Sequence, residues 1–318
     1  MSANDVQMRE AWGQGLVDLG AQYRNLVVLD GDLANSTRAD MFHTAYPDRF
    51  FEMGIAEQNM LGVAAGLATT GYIPWISTFA AFLAKRALDQ IRLVIAQPGL
   101  NVKMAGSYSG LLTSKTGKTH QSVEDIAVFR AMPHVVTIAP ADAVELRSAM
   151  AAMMEDERPT YIRITRDAGP VVVPDGYEFE IGKAVLLRDG ADIGIVSTGV
   201  QTSRALAAAD LLEIAGVSAS VLHVPTIKPI DVDAIVALAD RTNGIVSAED
   251  HSIIGGLGGA VAEVLAEHRP TRMRRIGIQD TFGESGPNDA LLEKYGLTPN
   301  HIVEAVNDLL ALTSVTTR

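Results

Sequence analysis

The chain has 318 residues, 26 Lys plus Arg against 38 Asp plus Glu for a formal net charge of -12, 47% hydrophobic residues and no cysteine. That length suggests two domains, and the composition excludes disordered, fibrous and disulfide-stapled classes. The negative charge argues against nucleic acid and anionic membrane surfaces as partners, and the lack of cysteine removes disulfides, thiolate zinc sites and cysteine nucleophiles.

The opening residues MSANDVQMREAW lack the basic segment and apolar core of a secretory signal, so a cytoplasmic location is expected. Further along, short apolar runs alternate with Ala-rich amphipathic stretches. The runs are LVVLD (26–30), YIPWIST (72–78), NVKM (101–104), VVTIAP (135–140) and TYIRIT (160–165). Strands apolar on both faces and joined through helices imply a parallel sheet covered on both sides. Between Glu57 and Lys85 no residue is charged, a length sufficient to cross a bilayer. Thr69, Thr70, Gly71 and Pro74 interrupt it and separate two periodicities, so it reads as helix, turn, strand, helix.

The pattern breaks at DAGPVVVPDGYEFEIG (167–182), which reads as a linker. Beyond it DIGIVSTG (192–199), VSASVLHV (217–224) and GIVSAED (244–250) alternate with helical stretches. The expected fold is therefore two parallel-sheet-based α/β domains, residues 1–180 with the linker and residues 181–318.

Several residues stand out for their chemistry. Glu57 begins a helix just after a strand ending near Met53, at the carboxyl edge where open α/β sheets bind ligands. A helical Glu is ordinarily solvated, but Met53, Ile55, Ala56 and Met60 surround this one, and such a setting is expected to desolvate it and raise its carboxyl pKa. Phe79 ends a strand and Phe82 follows one helical turn on, either as core or as an aromatic wall for a planar ring. His120 lies in the polar loop SKTGKTHQSVED. Arg163 and Arg166 alternate with the apolar residues of a strand and are expected to point one way if the strand continues that far, as a surface charge pair or an anion clamp. GGLGG (255–259) lacks a third glycine where Val261 stands, so it reads as a tight turn before a closely packed helix rather than a dinucleotide loop. GSYSG (106–110) has Tyr108 where a nucleophile elbow needs serine, and no metal motif has ligand spacing.

Taken in order, GIAEQNM, STFAAF, GKTHQSVEDIAVFRAMP, IAPADAVE, KPID and SAEDHSIIGGLGG resemble the C-terminal half of a transketolase across nearly the whole chain. The resemblance implies a thiamine diphosphate pyrimidine-binding domain over 1–180 and a transketolase C-terminal domain over 181–318. The family's diphosphate-binding domain, with its Gly-Asp-Gly metal motif, has no counterpart; in DGDL (30–33) Leu33 replaces the needed glycine. The implied protein is one subunit of a split transketolase, active only with a companion N-terminal subunit in an α2β2 heterotetramer. The companion would carry the Mg2+ ligands.

By the same resemblance Glu57 would hydrogen-bond N1′ of the cofactor's aminopyrimidine, Phe82 would stack on that ring with Phe79 beside it, and Asp32 would lie near the cofactor. His120 would contact a substrate hydroxyl, while Arg9, Ser36 and Arg166 would hold its phosphate end. The implied reaction moves a two-carbon ketol unit from a ketose to an aldose. Two positions depart from the pattern: Thr116 replaces an aspartate that contacts a sugar hydroxyl, and Tyr108 replaces a phosphate-binding histidine. A sugar phosphate or a sulfonated sugar is accordingly expected as substrate. The rival readings are the β subunit of a 2-oxoacid dehydrogenase E1 component, a synthase joining pyruvate to glyceraldehyde phosphate, and a non-catalytic module retaining the fold.

Overall fold

The computed structural model describes residues 5–316. Its N-terminal half runs β1 (Asp5–Gln7), α1 (Met8–Gln22), β2 (Leu26–Asp30), β3 (Phe50–Glu52), α2 (Glu57–Thr69), β4 (Ile73–Phe79), α3 (Ala80–Arg86), β5 (Lys103–Ser107), α4 (Asp125–Ala131), β6 (Val136–Ile138), α5 (Ala143–Glu155), β7 (Thr160–Ile164) and β8 (Ala168–Pro170), with short helical turns between. The uncharged stretch after Glu57 resolves into α2, a turn, β4 and α3. No helix among the described residues is long and apolar enough to cross a membrane.

Period-two alternation assigns the strand residues to two cores. Leu26, Val28 and Trp75 face α1 and α5, where they meet Trp12, Leu16, Leu146 and Met150. Val27, Leu29 and Ile76 face the opposite layer with Leu61, Leu83 and Phe129 of α2, α3 and α4. Burial on both faces explains why β2 reads as a nearly continuous apolar run, and every residue of β5 and β7 is buried as well.

The C-terminal half continues with β9 (Val185–Arg188), β10 (Ile193–Ser197), α6 (Gln201–Ile214), β11 (Ala219–His223), β12 (Thr226–Lys228), α7 (Val232–Arg241), β13 (Ile245–Ser252), α8 (Leu257–His268), β14 (Met273–Ile278), α9 (Asn288–Lys294) and α10 (Pro299–Thr316). Its sheet has the order β14-β13-β10-β11-β9, parallel except where β9 runs against β11. The glycine cluster forms the turn into α8, as the sequence suggests.

The larger sheet has the order β12-β6-β7-β5-β4-β2-β3 and is parallel except at one edge. That edge is the unforeseen feature. The strand β12 belongs by sequence to the C-terminal half, yet it pairs antiparallel with β6 of the first half. A division at residue 180 therefore cuts through a shared sheet. The linker is strapped down rather than free: β8 pairs with β1, and the Asp142 carboxylate accepts from the amides of Val172 and Val173.

Candidate active site

The carboxyl ends of the central strands line up. Register places Asp30 beside Glu52 on one side and Ser77 on the other, and Phe79 beside Ser107. The chain leaves β3 through Gly54, at φ +69°, and enters α2 at Glu57. The first turn of a helix favours a carboxylate, since its unpaired amides and macrodipole present positive charge there.

Glu57 is fully buried. Its two carboxylate oxygens accept from one nitrogen, Arg86 Nη1, at 2.7 and 2.6 Å. The Arg86 side chain is 44% exposed, and its guanidinium carbon lies 4.7 Å from the centre of the Phe82 ring. A chain of contacts continues from there. Phe82 and Phe79 ring centres are 5.7 Å apart, His120 sits edge-on to both at 5.3 and 5.8 Å, and Tyr108 stacks on Phe79 at 4.1 Å. Arg166 Nε donates to the Tyr108 hydroxyl at 3.1 Å. The residues picked from sequence at 57, 79, 82, 108, 120 and 166 thus form one connected group.

Some of the buried polar atoms that lack a partner sit near these strand ends, on both faces of the sheet. Asp30 Oδ2, Thr78 Oγ1, Ser107 Oγ and Ser109 Oγ are all buried and unpaired. Such atoms are rare in folded proteins and mark places where a ligand or ordered water completes the set. Burial pushes the Asp30 carboxyl up to about 6, against the lowering effect of the Ser77 hydroxyl and the Leu33 amide, while the nearby Glu52 charge adds to the rise. Tyr108 and Asp32 both adopt positive φ, at 56° and 65°, a conformation bulky side chains rarely take outside functional loops.

The anion-binding candidates assemble in part. Arg9 donates to Gln7 Oε1 at 3.1 Å and to the Ser36 carbonyl at 3.4 Å. Because β1 and β8 pair with Gln7 opposite Ala168, Arg9 and Arg166 lie at the same end of that ribbon. Arg163 does not join them. It is 5% exposed and donates to the Asp125 carboxylate at 2.8 and 3.2 Å. The expectation that Arg163 and Arg166 point one way fails because residues three apart on an extended chain face opposite sides, and β7 ends at Ile164. Asp32 and Thr116 are exposed; Thr116 Oγ1 is tied back to Thr113 within its own loop.

Sequence reading missed Arg86 and Asp30. Arg86 stands four residues after Phe82 on α3, the spacing that puts two side chains on one helix face, and that was its available signal. Among the described residues, no group of three or more His, Asp or Glu side chains is arranged to hold a metal ion. A cavity of about 700 Å3 lies between Lys118 and the segment bearing Phe282, Ser285, Lys294 and Tyr295, and none of the aromatic cluster lines it.

Comparison with known proteins identifies the two halves of the chain. Residues 4–171 match the transketolase pyrimidine-binding domain, and residues 182–302 match the transketolase C-terminal domain. The chain is thus one of two-domain α/β proteins built from those two transketolase units. It is 45% identical over 302 residues to a transketolase C-terminal section from Methanocaldococcus jannaschii, covering 94% of this chain and 95% of that one. It is 41% identical over 310 residues to a 6-deoxy-6-sulfo-D-fructose transketolase subunit from Clostridium sp. strain MSTE9, covering 96% of each. A solved structure described as a split gene transketolase, inactive beta4 tetramer, superposes with a TM-score of 0.91 at 47% identity over 97% of this chain and 99% of that one. The chain belongs to the transketolase family.

Proposed function

We propose that this chain is the pyrimidine-binding subunit of a split, thiamine diphosphate-dependent transketolase that moves a two-carbon ketol unit from a ketose to an aldose. The observation that carries the reading is the buried Glu57 carboxylate at the start of α2, joined through Arg86 to the face of Phe82. A buried carboxylate beside an aromatic surface suits an aminopyrimidine: the acid shares a hydrogen with a ring nitrogen, and the aromatic covers the ring plane. The orphaned Thr78 oxygen, on the sheet face that meets α2, supplies a further polar partner, so the residues present fit the group.

Glu57 would hold a proton shared with N1′ of the pyrimidine, and Arg86 satisfies that carboxylate until then. Phe82, with Phe79 beside it, would pack on the ring, and Asp32 borders the same edge. When bound, thiamine diphosphate supplies the electron sink for carbon–carbon cleavage. His120, edge-on to both phenylalanines, would meet a substrate hydroxyl. Arg9, Arg166 and the Tyr108 hydroxyl, with Ser36 beside Arg9, would hold the anionic end of the sugar, since guanidinium groups bind tetrahedral oxyanions through paired N–H donors. Phosphate and sulfonate both meet that description, and the relative named for a sulfonated ketose supports the second. The relative solved as a split gene transketolase supports a companion chain; that chain would hold the diphosphate and its Mg2+, in an α2β2 assembly.

The test is Glu57→Gln in the complex with its companion. Ketol transfer is expected to fall roughly 100-fold or more, the range for loss of a positioned proton-transfer group, with assembly unchanged by size-exclusion chromatography. Full turnover in the assembled variant overturns the reading.

A further inference from the structure

None of the residues assigned above comes from the C-terminal half, yet that half grips the segment 108–123 on which Tyr108, Thr116 and His120 sit. Asp250, at the carboxyl end of β13, is 1% exposed, and its two oxygens accept from the Leu111 amide at 3.0 and 3.3 Å. Gly110 adopts φ +74°, and a Cβ there would collide with the Asp250 carboxylate. Only glycine meets both demands. The Gly110 amide donates to the Ser122 carbonyl at 2.8 Å and closes the base of the loop.

Other contacts reinforce the hold. The Ser252 amide donates to the Val123 carbonyl at 2.7 Å. Gln121 Nε2 spans the Leu111 carbonyl at 3.2 Å and the Glu284 carbonyl at 3.1 Å. Leu111, Leu112 and Val123 share a small apolar cluster with Ile278, Leu292 and Leu297. A buried carboxylate is a weak means of gaining stability, because its desolvation offsets much of what its partners return. It is a strong and directional acceptor, and so an effective locator of the amide it meets. Burial pushes the Asp250 carboxyl up, and Arg163, the Leu111 amide and Arg204 offset part of that rise while Asp125 adds to it.

We propose that Asp250 is a positioning residue through which the C-terminal half fixes the 108–123 segment, and with it Tyr108 and His120, for sugar recognition. Asp250 touches neither sugar nor cofactor, and this role rests on the assignment of that segment to the substrate. Glu57 and Phe82 stand on α2 and α3, outside the segment, and meet it only through the packing of Tyr108 and His120 on Phe79 and Phe82, so cofactor affinity is expected to change less than KM.

The experiment uses the complex with the companion chain and compares Asp250→Ala, Asp250→Asn and His120→Ala. Three quantities are read: KM and kcat with xylulose 5-phosphate and with 6-deoxy-6-sulfo-D-fructose, thiamine diphosphate affinity by calorimetry with Mg2+, and backbone amide exchange over 108–123. Asp250→Ala is expected to raise KM about tenfold, the effect of one lost hydrogen bond of about 1.4 kcal/mol, and to speed exchange across 108–123. Cofactor affinity is expected to change less than KM, and exchange over 57–69 to stay as in the parent. Asp250→Asn keeps an acceptor for Leu111 and is expected to restore most of both effects. Should Asp250→Ala impair folding, Gln121→Leu, which releases the same segment from Glu284, is read in the same way. Unchanged exchange and KM in Asp250→Ala overturn the proposal, as does a loss of cofactor affinity equal to the change in KM. A normal KM in His120→Ala sinks the substrate assignment itself, whereas a raised KM there with none in Asp250→Ala sinks only the role of Asp250.

Discussion

Replacing Arg86 by methionine in the isolated chain leaves Glu57 buried with no counter-charge. The pair is lopsided: Glu57 is fully enclosed, whereas the Arg86 side chain is 44% exposed. Breaking a fully buried ion pair costs about 3–5 kcal/mol, and losing an exposed one about 0.2–1 kcal/mol. The intermediate geometry, two short bonds from one nitrogen with water reaching the guanidinium, gives an expected loss of roughly 1–3 kcal/mol. At about 2.1 cal/mol/K of unfolding entropy per residue, 318 residues give about 1.5 °C per kcal/mol, so the unfolding midpoint should fall by roughly 1.5–4.5 °C. The assay is thermal unfolding followed by circular dichroism at pH 7.5, with and without added salt. Because the loss comes from a stranded charge, adding Glu57→Gln to the Arg86→Met variant should recover much of it, giving a coupling energy between the two positions. A variant as stable as the parent, or a double-mutant cycle with no coupling, would show that Glu57 and Arg86 are not partners in solution.

Two further outcomes follow from buried acids. Asp30, whose carboxyl sits at about 6 rather than near 3.8 because burial disfavours its charge, costs stability wherever it must ionise. The folded state holds the extra proton between those values, so this cost is absent below about pH 4, grows through the window and is complete above about pH 6. Asp30→Asn should therefore be more stable than the parent at pH 8 by at most about 3 kcal/mol, an advantage that vanishes on acidification; a pH-independent difference in midpoint refutes this. Gly256→Ala would drive a methyl group into the Glu249 carboxylate, which is fully buried and accepts from the amides of Leu257 and Gly258 at 2.7 and 2.8 Å. With no room to yield, that overpacking is expected to cost about 1–3 kcal/mol in urea unfolding, and a neutral variant would mean the turn into α8 is looser than described.

Features carried by a local period were legible in the sequence. The apolar runs gave β2, β4, β6, β7, β10, β11 and β13 to within a residue or two, and the break at Thr69 to Pro74 separated α2 from β4. The run at 101–104 begins two residues before β5 and stops three short of its end, since the apolar signal of Val102 precedes the first ladder residue, Lys103, and Gly106 and Ser107 carry none. Glu57 could be found because a charge in an otherwise uncharged stretch at a strand–helix turn is unusual. Features that depend on meetings between distant residues were not legible. Arg163 is internal because Asp125, from another element, neutralises it, and no pattern within YIRITRD reports that. Asp30 and Asp32 look alike in DGDL, but a strand residue turns inward while the residue two further on has left the sheet in a left-handed turn. The grip of Asp250 on Leu111 spans 139 positions and has no local signature.

The exchange of β12 has a practical corollary for anyone who tries to separate the halves. An outer strand of a sheet presents unpaired amides and carbonyls that invite other chains to add on, and here the outermost place beside β6 is filled by Thr226–Lys228. A fragment ending in the linker would bare that rim and, with it, a template for intermolecular pairing. Insoluble or self-associating N-terminal fragments would then report a missing stopper rather than an unstable core, and supplying residues 181–318 in trans should return them to solution.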